Sequence, residues 1–146
     1  DHRGAVGADK LMGDGAGILI QIPDQYYRDE MAKQGVELPP PGEYGVGMIF
    51  LPRTDLAAQE SCRAIVESEI IAFGHFIYGW RQVPVDVSVI GEKAARLRPE
   101  IEQILIWDPE NREPALMERD LYVIRRRIEK AGSGIRSSSS MTFWIT

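Results

Sequence analysis

His2-Arg3-Gly4-Ala5-Val6-Gly7-Ala8-Asp9, then Gly13-Asp14-Gly15-Ala16-Gly17 running into Ile18-Leu19-Ile20-Gln21-Ile22-Pro23, is the stretch on which the reading of this chain turns. Gly4, Gly7, Gly13, Gly15 and Gly17 are too closely spaced for an ordinary helix or strand. Glycine tolerates positive φ and admits close backbone approach, so this density predicts a loop whose path matters. Residues 16–22 form an apolar run that predicts a buried strand. A shaped loop feeding a core strand is a common place for site residues.

Two phosphate-binding patterns fail on this stretch. A P-loop needs a terminal Gly-Lys-Ser/Thr and a preceding strand, and neither is present. A dinucleotide fingerprint sets its glycines after a strand and before a helix, whereas these precede a strand. Asp9 and Asp14 read as turn-formers that accept backbone N–H groups. Arg3 and His2 read as anchors for nearby carbonyls or as site residues.

The remaining composition narrows the function classes. The chain has 146 residues, one domain or part of one, with 44% hydrophobic and 27% charged residues. A net charge of -5 argues against nucleic acid or an anionic membrane as the main partner. No apolar run reaches the roughly 20 residues that a membrane helix needs. One cysteine cannot close an internal disulfide, and with two distant histidines it weighs against a structural zinc site.

Downstream, Pro23 starts a predicted helix over 24–33, and the triple proline 39–41 makes a rigid connector. Residues 44–51 predict a strand covered on both faces. Thr54 is the expected cap of a helix whose stripe is Leu56, Ala58, Cys62, Ile65, Val66, Ile70 and Phe73, with Gly74 as its stop. Residues 75–84 read as strand then turn, 92–97 as a short helix, and 101–107 as a strand. Met117, Leu121, Ile124 and Ile128 repeat at helical spacing within a helix over 115–130. A Gly/Ser-rich segment follows, read as a flexible loop, and 141–145 begins another β-prone run.

Single residues carry mostly structural readings. Cys62 on an apolar stripe behaves as a small hydrophobe whose pKa rises. His75 reads as a hydrogen-bonded structural residue. The Trp80 indole needs a partner, and Arg81 is expected to stack on an aromatic ring or bridge two segments. Arg125-Arg126-Arg127, with Glu118, Asp120 and Glu129 nearby, reads as a solvated helix face. From the residues alone, no activated nucleophile, metal cluster or paired base stands out.

The glycine-rich opening nevertheless resembles the amidotransferase domain of the glutamate synthase family. That domain is a class II glutamine amidotransferase, one of the N-terminal nucleophile hydrolases. Three further blocks resemble the same family in the same order: Pro39-Pro40-Pro41-Gly42-Glu43-Tyr44-Gly45-Val46-Gly47-Met48, Gly79-Trp80-Arg81-Gln82-Val83-Pro84, and Leu121-Tyr122-Val123-Ile124-Arg125-Arg126-Arg127-Ile128-Glu129. The resemblance spans the chain up to Ala131.

This resemblance implies an α+β fold, a four-layer αββα sandwich truncated at both ends. Residues 1–146 would be a partial domain lacking the nucleophile strand and the C-terminal part. It implies a chemistry in which an N-terminal Cys, with its own α-amino group as base, attacks the side-chain amide of L-glutamine. Ammonia leaves, a γ-glutamyl thioester is hydrolysed, and the ammonia meets 2-oxoglutarate on a domain carrying FMN and an iron–sulfur cluster. Arg3 is the one residue carried over to the site, beside the absent nucleophile. No substrate-binding or metal residue is expected in this stretch, and the isolated chain is expected to be inactive. Partners implied are the remaining domains of the synthase and a small electron-donating subunit, in a cytoplasm or a plastid stroma. The alternatives are a non-catalytic module that kept the scaffold for protein contacts, and another class II amidotransferase.

Overall fold

The computed structural model describes residues 5–6, 13–14, 21–110 and 113–133, and the chain divides into two units, 1–21 with 84–98 and 22–83 with 99–146. The first unit contains a short antiparallel ribbon, β1 (Ala5–Val6) against β2 (Gly13–Asp14), in the register Ala5↔Asp14 and Val6↔Gly13. The described part of the glycine-rich stretch is therefore paired backbone, and Asp14 lies on a strand where a turn was expected. The same unit holds a 3-10 turn at Val87–Val89 and helix α3 (Glu92–Leu97), which has the predicted bounds.

The second unit is built on a three-stranded antiparallel sheet, β3 (Tyr44–Leu51), β5 (Glu100–Trp107) and β4 (Phe76–Gln82), in the order β3-β5-β4. Helices α1 (Asp24–Ala32), α2 (Leu56–Ala72) and α4 (Pro114–Gly132) complete it. The chain is thus α+β, with four α-helices and this sheet among its described residues.

Alternation along the strands sends side chains to two faces. On one face Ile49, Leu51, Ile104 and Ile106 pack with Cys62, Val66 and Ile70 of α2 and with Met117, Leu121, Ile124 and Ile128 of α4. The four α4 residues are all buried, as their spacing predicts. Each contributes about 1.5–3 kcal/mol relative to exposure. On the other face Tyr44, Val46 and Leu105 meet Tyr27 and Met31 of α1 and Leu38 beyond it.

β4 keeps both faces consistent through an irregularity between Ile77 and Gly79. Ile77 and Trp80 join the α2/α4 core, while Tyr78 joins the α1 core. A Cβ on Gly79 would lie 3.2 Å from Met31 Cε, so that position also faces α1. The extra residue is a β-bulge, which re-aims the side chains that follow it.

Helix ends explain two expectations that fail. Asp55, not Thr54, caps α2, with its carboxylate accepting the Ala58 N–H at 3.0 Å. Leu56 stands 70% exposed, because the helix begins there and its buried stripe starts at Gln59 and Cys62. Gly74 does stop the helix, at φ +86°, with its own N–H and that of His75 bonded to Ile71 and Ile70 carbonyls. That left-handed turn is cheap only for glycine. The strand predicted over 16–22 is not found at Gln21 and Ile22, and 15–20 lie outside the described residues, as do the loop after Ser133 and the run 141–145.

The triple proline is held rigidly. Arg28 donates to the Leu38 carbonyl at 2.8 Å and the Pro39 carbonyl at 2.5 Å, while its other N–H groups grip Asp24. Tyr44 donates its hydroxyl to Asp24 at 2.7 Å, joining α1 to β3. The Arg28 hydrogen bond, then that of Tyr44, holds the Asp24 carboxyl below its ordinary value. A depressed folded pKa contributes stability above the unfolded value near ~3.9, lost as pH falls through the folded pKa. Asp24→Asn is therefore expected to destabilise at neutral pH, with the gap to the native protein closing in acid. Urea unfolding at several pH values measures this, and an equal gap at pH 2 and pH 7 would refute it.

Candidate functional site

Arg3, the residue that the resemblance places beside a nucleophile, lies outside the described residues with His2 and Asp9. Beside the Arg63 bridge between Gln59 and Glu102, two further groups of buried polar side chains stand among the described residues.

The first centres on Arg81 of β4, only 7% exposed. Its Nη1 donates to Gln103 Oε1 at 2.7 Å, Nη2 donates to the Tyr26 hydroxyl, and Nε reaches Glu30 at 3.4 Å. Cζ lies 4.9 Å from the Tyr26 ring centroid. Gln103 passes the network on, donating to the Tyr27 hydroxyl at 2.9 Å. Arg81 thus both stacks and bridges, tying α1 to β4 and β5 as expected. Its neighbour Trp80 donates its indole N–H to Glu67 of α2 at 2.7 Å. With all three of its guanidinium nitrogens engaged by protein side chains, Arg81 acts here as a brace between α1 and the sheet.

The second group lies at one end of the sheet. Gly74 places His75 just before β4, and Asp108 follows β5 directly. Because Phe76 pairs with Trp107, the next positions outward bring His75 and Asp108 together. Asp120 of α4 completes the group, and exposures are 1%, 3% and 2%. His75 Nε2 lies 3.3 Å from Asp120 Oδ2, and the Phe73 ring stacks on the imidazole with centroids 5.9 Å apart. Asp108 accepts the Glu110 N–H at 3.0 Å, and Arg119 approaches the other Asp120 oxygen at 3.5 Å.

His75 is hydrogen-bonded, as expected. Asp120 is not on the solvated face to which its sequence neighbours assign it. That face is otherwise as read: Arg125 and Arg126 pair with Glu129, and Arg127 with Glu69. The His75, Asp108 and Asp120 convergence was missed because these residues lie 45 positions or fewer apart without motif spacing, and only strand register unites them.

Cys62 is 1% exposed, and burial pushes its thiol pKa up, which suits packing and not nucleophilic attack. Among the described residues no helix is long and apolar enough to cross a membrane.

Comparison with known proteins supplies the context for these groups. The profile of the family "Glutamine amidotransferases class-II" matches residues 1–146. The chain is 53% identical over 133 residues, 91% of its length, to the glutamate synthase [NADPH] large chain of Azospirillum brasilense. It is 39% identical over 136 residues to that of Bacillus subtilis, and 35% identical over 143 residues to the chloroplastic ferredoxin-dependent glutamate synthase of Spinacia oleracea, covering 90% and 98% of this chain. It spans only 9% of the length of each of these relatives. The match over the full chain, with these identities, establishes that this chain belongs to the class II glutamine amidotransferases.

Proposed function

We propose that this chain is part of the glutaminase domain of a glutamate synthase, whose whole polypeptide releases ammonia from L-glutamine and passes it to 2-oxoglutarate to give L-glutamate. The observation that carries this reading is the 53% identity to a glutamate synthase large chain across nine-tenths of these residues. In this reading a Cys upstream of Asp1 is the nucleophile, and residues 1–146 are an incomplete domain.

The fold supports a scaffold role for the described part. The sheet carries a helix layer of α2 and α4 on one face, while on the other α1 and Leu38 meet Tyr44, Val46 and Leu105, and Met48, Phe50 and Ile101 are only partly buried. In a four-layer αββα sandwich that face receives the second sheet. Arg3 is proposed to line the site beside the nucleophile, where a guanidinium orients a carboxylate or carbonyl of the substrate.

The FMN and iron–sulfur groups of such a synthase belong elsewhere in the polypeptide. A cluster needs several thiolates, and this chain has only Cys62. A small electron-donating subunit would dock with those other domains, in a cytoplasm or a plastid stroma.

The test is ammonia release from L-glutamine by the intact polypeptide, native and Arg3→Ala. We expect hydrolysis by the native protein and a fall in kcat/KM of about tenfold or more in the variant, the loss of one good polar contact. Native hydrolysis with an unchanged variant would remove Arg3 from the site. No hydrolysis at all would favour the non-catalytic module.

A further inference from the structure

We propose that His75, Asp108 and Asp120 form a binding site for a single borderline divalent metal ion, for which zinc is the best match. The proposal stands independently of the glutaminase reading.

Geometry is the first support. One donor atom from each residue lies within 4.8 Å of the other two, and all three residues are buried. His75 immediately precedes β4, Asp108 immediately follows β5 and Asp120 lies on α4, so the ends of two paired strands and a helix bring the three together. His75 Nε2 and Asp120 Oδ2 stand 3.3 Å apart. Two ligands about 2.0–2.2 Å from a tetrahedral ion are separated by about 3.3–3.5 Å, so this spacing matches an edge of a zinc site. It is longer than the roughly 2.7–2.9 Å of a charge-assisted N–H···O hydrogen bond.

The second support is an unsatisfied group. His75 Nδ1 is buried and has no hydrogen-bond partner, although the side chain is fully enclosed. Buried imidazoles ordinarily use both nitrogens, and an orphaned one carries a desolvation cost. With Nδ1 unpaired, the imidazole is held through Nε2 alone, and a metal on Nε2 would fix the ring there more firmly than one hydrogen bond of 3.3 Å to Asp120.

Charge is the third. Two buried carboxylates beside one imidazole offer anionic oxygen ligands to a divalent cation, in addition to the contacts each already makes. The Glu110 N–H on Asp108 and the Arg119 guanidinium on Asp120 then serve as outer contacts that orient the ligating carboxylates. A neutral imidazole with two carboxylates is a nitrogen–oxygen donor set suited to zinc, with cobalt as a spectroscopic substitute. Three protein ligands leave the fourth position for water. Such an ion would pin the start of β4, the end of β5 and α4 at one point.

The test uses the intact polypeptide, stripped with a chelator and dialysed, then titrated with Zn2+ by calorimetry and with Co2+ by visible absorption. His75→Gln and Asp108→Asn keep neutral polar side chains in the pocket, and circular dichroism confirms that each is folded. Native protein is expected to bind one more equivalent of Zn2+ than either variant, or to bind it at least about tenfold more tightly, with cobalt absorption bands that both variants lack. Equal stoichiometry and affinity in native and variant proteins would overturn the site. Failure of the native protein to bind either ion would do the same, leaving a plain His–Asp hydrogen bond. Neither result bears on ammonia release, so this proposal and the glutaminase reading fail separately.

Discussion

Arg81→Ala is expected to destabilise the fold by about 2–4 kcal/mol, the range for removing one member of a buried, hydrogen-bonded charge network. The guanidinium is 7% exposed and divides its N–H groups among Gln103, Tyr26 and Glu30. Its loss strands the Gln103 carbonyl oxygen between two strands and opens the contact between α1 and the sheet. Arg81→Lys is expected to recover little, because one ammonium cannot reproduce a planar fork that reaches three partners in different directions. Arg81→Met keeps the apolar stem and separates lost packing from lost hydrogen bonds. Urea unfolding of the three variants reads these differences directly. A change within 0.5 kcal/mol for Arg81→Ala would mean that the network is ornamental to stability.

The second large effect sits where α4 crosses β3. Leu121 is 1% exposed in the main core, and Leu121→Ala is expected to cost about 2–5 kcal/mol through lost transfer energy and the cavity left behind. Directly beneath it is Gly45, where an added Cβ would meet Leu121 Cδ1 at 2.9 Å and Cδ2 at 3.2 Å. Gly45→Val should therefore overpack and cost about 1–3 kcal/mol. The two positions are coupled, and the coupling has a sign. Gly45→Ala alone forces Leu121 to shift, whereas in the Leu121→Ala background the same methyl enters vacated space and a strand glycine is replaced. We expect Gly45→Ala to destabilise the native protein and to be neutral or stabilising in the Leu121→Ala protein, with an interaction energy of at least about 0.5 kcal/mol. Additive effects would falsify the contact.

Both predictions concern elements whose existence the sequence announces. The Met117, Leu121, Ile124 and Ile128 repeat is legible because a helix buries one stripe, and the period is visible without any partner. The 44–51 run is legible for the complementary reason, since a strand covered along much of both faces stays apolar throughout. The short helix at Glu92–Leu97 lies between Gly91 and Pro99, which punctuate the chain. Misreadings cluster at boundaries. Thr54 and Asp55 are both good caps, and only the backbone direction at Asp55 decides between them. Leu56 belongs to the stripe on paper, yet the first turn of α2 faces water.

The candidate site was less legible than the fold. Arg81 and Trp80 stood out as a large cation and an indole that need partners, but Gln103, Tyr26, Glu30 and Glu67 could not be named without the packing. His75, Asp108 and Asp120 gave no joint signal. Each looks ordinary where it stands, with a turn, a strand end and an arginine-rich helix as neighbours.

The sequence by itself determined the family through four ordered blocks, the central helices and strands through their periodicity, and the structural role of Cys62 through its stripe. The tertiary structure alone decided which side chains meet. Strand register sets His75 opposite Asp108, the bulge after Ile77 turns Arg81 toward α1 and Trp80 toward α2, and α4 carries Asp120 inward to His75 and Leu121 onto Gly45. Periodicity is a local property of the chain, whereas these encounters depend on pairing between distant segments, which no local pattern encodes.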